Sequence, residues 1–446
     1  MADYLLSVLQ DFSISQKVAF FMADNATNND KALSALASYL PSMKLDPVKQ
    51  RLRCCGHIYN LVCKAILYGV DSDCLEDASQ ASQATMTSVA SFEAAINGGD
   101  EASKLTAWRK KGPVRKLHNT VIHIKENAAR RLLFQSKQRN AVPASEGEDS
   151  EVVRMYRVVA NGGIRWNSTY LMIDRAMLLK DAIHLYQDDH HAACEPADYL
   201  TAEDWRELAD LKALLKPIYD ASMKVQSHDT GLHEVLTSMD FILTHLEAAK
   251  QKITTTDGSY FKACVNLGWQ KLDQYYLKTD LNPAYIMAVF LHPQYKLGWF
   301  KKHWEKKEYN KALEYIEKEY NAVKERLGAV PTDPRPSQSQ ELNAYDAYNR
   351  LSSPIEDEDD DLYRYKAERI VKYGTDALKW WHDNERVYPI LHQLAMTYLA
   401  APPSSAACER LFSIAGNVVN QERPHTQAQL AEAVQCLRSW HEQGLI

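Results

Sequence analysis

Four short clusters in this 446-residue chain carry side chains able to do chemistry. Asp24 follows the apolar run Lys17-Val-Ala-Phe-Phe-Met22 and opens the turn Asp24-Asn-Ala-Thr-Asn-Asn-Asp30. A carboxylate there can cap the next helix, or it can stand at the C-terminal edge of a buried strand, where open α/β sheets place their ligands. Cys54 and His57 offer half of a zinc site, and they fit a core thiol beside a core histidine equally well. Arg165-Trp166-Asn-Ser-Thr-Tyr170 reads as a loop anchored by a buried indole. Ser404-Ser-Ala-Ala-Cys-Glu-Arg-Leu-Phe-Ser413 reads as an amphipathic helix with Leu411 and Phe412 inward and Glu409 exposed.

Charge supplies a further signal. Between Lys104 and Asn140 stand eleven Lys/Arg, including Lys110, Lys111, Arg115, Lys116, Arg130 and Arg131, against a single acid, Glu126. That density can grip phosphates, although the whole chain carries a net charge of −6 and is no cationic DNA coat. The run Glu356-Asp-Glu-Asp-Asp-Asp361 reads as a solvated loop, because consecutive side chains do not converge on one ion.

The elements that must hold these groups follow from periodicity. Tyr4, Leu5, Val8 and Leu9 predict an opening helix, residues 17–22 a buried strand, and Lys31 to Tyr39 a second helix. Residues 51–69 predict another short strand passing into a helix. Beyond Glu151 the pattern is almost wholly helical. Thr201 and Asp204 form a capping box ahead of a stripe ending near Pro217, which is expected to kink or stop that helix. Further helices are expected at 259–278, 283–291 and 303–326, and linkers near 71–103, 143–151 and 331–361.

Composition narrows the class. Hydrophobic residues at 46% and charged residues at 25% exclude wholesale disorder and fibrous repeats. No apolar run approaches the roughly 20 residues needed to cross a bilayer, and the start lacks a basic signal region, so a soluble intracellular chain with no membrane partner is expected. Eight dispersed cysteines fit reduced thiols.

The order and wording of the clusters resemble the hAT transposase family from about Leu5 to Trp440. The matching pieces are Asp24 to Asn29, Arg53-Cys-Cys-Gly-His-Ile-Tyr-Asn-Leu61, Arg165-Trp-Asn-Ser-Thr169, Leu291-His-Pro-Gln-Tyr-Lys296, and the block from Tyr388-Pro389 to Glu409-Arg-Leu-Phe-Ser413. The resemblance implies a mainly α fold with a small α/β part: a partial RNase H-like core interrupted by a large helical insertion domain. Residues 1–69 would form the partial core with its strand ending at Asp24. Residues 70–385, with the basic segment 104–140, would form the insertion, and 386–446 a dimerisation region completing the core.

Such cores cut and join DNA with two divalent ions held by three acids. The resemblance makes Asp24 the second acid and Glu409 the third, both as catalytic groups and as ligands of Mg²⁺ or Mn²⁺; no zinc is expected. No strand carrying the first acid precedes Asp24, so catalysis is expected to be lost and the chain to be an N-terminally truncated, inactive transposase of the nucleus that keeps DNA and itself as partners. The alternatives are an active subunit whose first acid lies in a missing N-terminus and a domesticated DNA-binding or scaffold protein. By the same resemblance Trp166, beside Arg165, stacks on a flipped base, and His57 lies near the active site. Leu391, Leu394, Tyr398, Leu411 and Phe412 would serve dimerisation, although they can also pack inward.

Overall fold

Local rules account for most of the element boundaries. Asp24, Asn282, Asp360 and Asp376 each place a side-chain acceptor where a helix begins, and Pro113, Pro283 and Pro389 occupy first turns, where a missing N–H costs nothing. The structure, a computed structural model, describes residues 1–41, 45–68, 112–141, 155–160, 166–189, 198–227, 230–252, 259–279, 282–328, 360–418, 428–442 and 444. The expected linkers 71–103 and 143–151, most of 331–361, and Lys110, Lys111 and Arg165 lie outside them.

The described chain runs α1 (Ala2–Asp11), β1 (Phe21–Ala23), α2 (Thr27–Tyr39), β2 (Arg51–Arg53), α3 (Cys55–Tyr68), α4 (Pro113–Glu126), α5 (Ala128–Ala141), α6 (Trp166–Leu178), α7 (Lys180–Asp189) and α8 (Ala202–Val225). It continues with α9 (His233–Lys252), α10 (Ser259–Thr279), α11 (Pro283–Leu291), α12 (Lys296–His303), α13 (Lys306–Leu327), α14 (Asp361–Ala367), α15 (Ala377–Asp383), α16 (Pro389–Tyr398), α17 (Ala406–Val418) and α18 (Ala428–Glu442). The fold is therefore mainly helical, and its one described sheet is the parallel pair β1–β2, with Phe21, Met22 and Ala23 opposite Arg51, Leu52 and Arg53. The first strand is shorter than its apolar run, starting at Phe21 instead of Lys17. Pro217 sits inside α8 without ending it. The capping box forms as read: Thr201 N–H reaches Asp204 Oδ2 at 2.8 Å and Asp204 N–H reaches Thr201 Oγ1 at 3.2 Å.

Two compact units divide the chain, one of residues 1–57, 224–238 and 276–446, the other of 58–223 and 239–275. Residues 276–385, read from sequence as part of the insertion, thus pack with the N- and C-terminal segments.

In the first unit α11 is buried along its whole length and packs against α12, α13 and α16. Its C-terminal carbonyls, which have no partner within the helix, are taken up by side chains. Tyr365 Oη donates to Phe290 and Leu291 carbonyls at 3.2 and 3.1 Å, and Trp381 Nε1 donates to Leu291 at 2.7 Å. Lys296, in a left-handed conformation at φ 46°, is buried and lies 4.1 Å from the Tyr365 ring centre while donating to the carbonyls of Tyr365 and Glu368 at 3.1 Å. The Leu291-to-Lys296 motif is thus the clasp that holds α14 to the end of α11. A smaller cluster of Leu33, Leu36, Leu40 and Leu45 gathers α1 and β1 onto α2.

The second unit is built around Leu117, Val121, Phe134, Ile173, Ile183, Tyr186, Trp205 and Leu208, from α4 to α8. Gly268 lets α10 approach α3 closely, since an added Cβ would fall 2.5 Å from Ile66 Cγ1.

Candidate functional site

The first unit anchors the segments that carry the two candidate acids to one residue, Cys54. Its N–H donates to Ala23 at 2.9 Å, fixing the end of β1 just before Asp24. Its thiol accepts the Ser405 N–H at 3.3 Å, and Ser405 Oγ lies 3.3 Å from Glu409 Oε1 in the first turn of α17. The neighbouring Cys55 N–H donates to Pro403 at 3.1 Å. Asp24 and Glu409, 385 positions apart in the numbering, are therefore carried by segments anchored to the same short strand end.

A buried guanidinium holds that end in place. Arg51 donates from Nη2 to the Asp24 carbonyl, from Nη1 to Ala23 at 3.2 Å and Leu52 at 2.6 Å, and from Nε to Asp30 Oδ1 at 2.8 Å. Arg53 reaches the other oxygen of Asp30 at 3.3 Å. Sequence reasoning passed over Arg51 and Asp30. The available signal was a long basic side chain beginning an otherwise buried two-residue step, which demands an acid and several carbonyls nearby. The far edge of β2 is closed by side chains as well: Tyr285 Oη accepts the Arg53 N–H at 3.1 Å, and Asn282 Nδ2 donates to Arg51 at 3.1 Å. Burial pushes the Tyr285 phenol up to about 12, so it remains a neutral hydroxyl.

Asp24 itself behaves as a turn-former. Its Oδ1 accepts the Ala26 N–H at 3.0 Å and Asn29 Nδ2 at 2.6 Å, which turns the chain into α2. Beside it Asn25 is buried with both amide atoms lacking a hydrogen-bond partner. Among the described residues no third His, Cys, Asp or Glu joins Asp24 or Glu409 in a three-ligand set. Two carboxylates, each with one oxygen already engaged, do not make a two-metal centre by themselves. His57 lies half-buried in the first turn of α3.

Trp166 is a core residue at 3% exposure, its ring edge-on to Tyr219 at 6.1 Å, and Tyr170 stacks on Tyr219 at 4.5 Å. In this conformation the indole has no free face for a base. The buried-anchor reading of that segment describes it better.

The basic segment is partly neutralised within the second unit. Lys116 pairs with Asp204 at 2.8 Å and Lys137 with Asp189, while Arg130 reaches Glu126 at 3.6 Å and Arg131 donates to the Lys125 carbonyl. Arg115, Lys125, Arg131 and Arg139 are exposed on the α4–α5 hairpin. Among the described residues those four cations are the exposed part of the basic segment, and Lys116 belongs to the framework instead.

The candidate dimerisation residues divide by burial. Leu391, Leu394 and Tyr398 are buried in α16 against the rest of the first unit. Leu411 and Phe412, read as inward, are exposed on α17, Phe412 at 72%. Leu430, Val434, Leu437 and Trp440 are exposed along one stripe of α18, which packs on α17. The sequence reading missed Leu430, Val434 and Trp440; their spacing of three and four was the signal.

Residues 361–441, which span α14 to α18, match the hAT family C-terminal dimerisation region. Along nearly all its length the chain is also similar to the Talaromyces stipitatus protein named "Putative transcriptional regulator tpeD", at 26% identity over 96% of this chain and 47% of that one. "Putative AC transposase" of Zea mays is 25% identical over 62% of this chain and 36% of its own length. "Zinc finger BED domain-containing protein DAYSLEEPER" of Arabidopsis thaliana is 23% identical over 62% of this chain and 40% of its own. The chain spans about half the length of these relatives, or less.

Proposed function

Because the chain is hAT-like and carries that family's C-terminal dimerisation region, we propose that it works as a self-associating, DNA-binding protein of hAT type that performs no strand transfer by itself. The carrying observation is the uncovered apolar surface of α17 and α18, where Leu411, Phe412, Leu430, Val434, Leu437 and Trp440 face outward within the matched region. Several large apolar side chains left exposed on two helices that pack together are the mark of an association site. A stable interface covers about 800 Å² per partner, and these six side chains form the nucleus of one.

DNA is the second partner in this reading, held through Arg115, Lys125, Arg131 and Arg139 and through the neighbouring basic residues Lys110 and Lys111. A nuclear location follows from that partner. The relative named as a transcriptional regulator supports binding without chemistry, as does the acid set in hand. Asp24 and Glu409 would hold Mg²⁺ or Mn²⁺ weakly, and an RNase H-like two-metal reaction would need a further carboxylate.

Sedimentation velocity over a concentration series tests the association. The wild type is expected to dimerise, and Phe412→Asp with Leu437→Asp to shift it to monomer; a wild type that stays monomeric at tens of micromolar removes the main support. For DNA, charge reversal at Arg115, Lys125, Arg131 and Arg139 should lower both the affinity and the salt slope. Robust joining of terminal-repeat DNA that depends on Glu409 would refute the absence of chemistry.

A further inference from the structure

The turn between α15 and α16 gathers three metal-ligating side chains from a stretch of eleven residues. His382 lies in the last turn of α15, Glu385 in the connection and His392 in the first turns of α16, and one ligand atom from each lies within 4.8 Å of the others. His392 Nδ1 and Glu385 Oε1 are 3.9 Å apart. We propose that His382, Glu385 and His392 form a site for a borderline transition-metal ion, Zn²⁺ above all, with water completing its coordination.

The donor set fits the ion. Two imidazoles and one carboxylate are a recurrent three-ligand set for Zn²⁺, whose bonds of about 2.1 Å put tetrahedral ligand atoms roughly 3.4 Å apart. Closing from 4.8 Å to that spacing asks each donor to move by less than about 1 Å, within reach of a rotation about its outer side-chain bonds. Mg²⁺ is a poor match, because it requires an octahedral oxygen shell.

The backbone beneath the three side chains is already fixed. Asn384 N–H bonds the Trp380 carbonyl at 3.1 Å, Val387 N–H bonds Asn384 at 3.0 Å, and Arg364 Nη2 holds the Val387 carbonyl at 2.8 Å. Trp381 locks α15 onto the end of α11, Trp380 stacks on Tyr388, and Asp361 holds the first N–H groups of α16. An ion therefore finds a preorganised frame, with two exposed side-chain ends, His382 and Glu385, to settle against the half-buried His392. The site was invisible to a search for paired Cys-x2-Cys signals, since its donors are spaced three and seven apart and span a helix end, a turn and a helix start.

The full chain, stripped of metal with a chelator, is titrated with Zn²⁺ against a chromogenic competitor and separately with Co²⁺. The expected result is one tight equivalent of Zn²⁺ and visible Co²⁺ bands of a nitrogen and oxygen site, without the near-ultraviolet thiolate band that surface cysteines would give. That equivalent should vanish in the His382→Ala/His392→Ala double variant and weaken at least tenfold in Glu385→Gln. The metal-free circular dichroism of Glu385→Gln should stay unchanged, because Glu385 is exposed, and that of the double variant should still show the helices formed, with only the half-buried His392 trimmed. Equal stoichiometry and affinity in the double variant, or no tight equivalent in the wild type, overturns the proposal.

Discussion

Removing the Asp361 carboxylate should loosen the whole C-terminal region. This side chain is 2% exposed and stands at the start of α14, yet it serves a different helix: Oδ2 accepts the N–H groups of Ile390 and Leu391 at 3.0 and 3.1 Å, in the first turn of α16. Oδ1 accepts the Tyr320 hydroxyl from α13. An anion at a helix N-terminus meets both the unpaired donors and the positive end of the dipole. Asp361→Ala leaves a buried phenol and two buried N–H groups unsatisfied, at about 1–3 kcal/mol each, with losses that overlap because one group serves all three. The net expectation is roughly 3–5 kcal/mol, a large share of a typical 5–15 kcal/mol stability. Asp361→Asn should cost less, since its amide keeps an acceptor, and Tyr320→Phe about 1–2 kcal/mol, since it removes one bond only. Hydrogen exchange of peptides covering Pro389–Tyr398 reads the local effect, with amides there exchanging roughly a hundredfold to a few thousandfold faster in Asp361→Ala, by tenfold per 1.4 kcal/mol. Guanidinium unfolding followed through Trp380 and Trp381 reads the same loss. Exchange within threefold of wild type, or no coupling between Asp361→Ala and Tyr320→Phe in a double-mutant cycle, would refute the reasoning.

Other expectations follow from the same geometry. Gly268→Ala puts a methyl against Ile66, itself fully buried, and should cost about 1–3 kcal/mol by overpacking, visible as a lower melting temperature; an unchanged or raised value would contradict the close helix approach. Cys54→Ala removes the acceptor for Ser405 N–H and should speed exchange at the start of α17 by an amount equivalent to about 0.5–1 kcal/mol, while Cys54→Ser keeps it slow. Acid should destabilise the first unit through His292. Burial, helped by the charge of His233, whose ring is tilted against it with centres 4.2 Å apart, pushes this imidazole down to about 3, against the raising effect of Glu234. Because the folded-state value is depressed, the unfolded chain takes up the proton first. The contribution of His292 to stability is then constant above pH 6.5 and falls by up to about 1.4 kcal/mol per pH unit below it. His292→Asn should flatten the limb between pH 6.5 and 4.5 in urea midpoints measured against pH, and an unchanged slope there would exclude His292 as its source.

Much of the fold was legible because helices obey near-neighbour rules. The stripes of α9, α11 and α13, the Thr201–Asp204 box and the strand-to-helix step at Arg51–Tyr68 all depend on residues within four positions of one another, and each stands where its pattern puts it. The site was legible in its parts: Asp24 at a strand end, Glu409 in a helix first turn, and a basic hairpin. Which of those parts are available for function was a different matter. Lys116 looked like a phosphate ligand until its partner Asp204 came from 88 residues away, and Trp166 like a stacking platform until Tyr219 covered its edge.

By itself, then, the sequence determined the helical elements, their caps and the order of the hAT-like motifs, because those are written in local spacing and residue type. Only the tertiary structure decided that Cys54 joins the segments of Asp24 and Glu409, that Asp361 leaves its acidic run to cap α16, and that Leu391 lies inside while Phe412 lies outside. Burial and charge pairing are set by residues far apart in the chain, and a periodic pattern marks an apolar face without saying what will cover it.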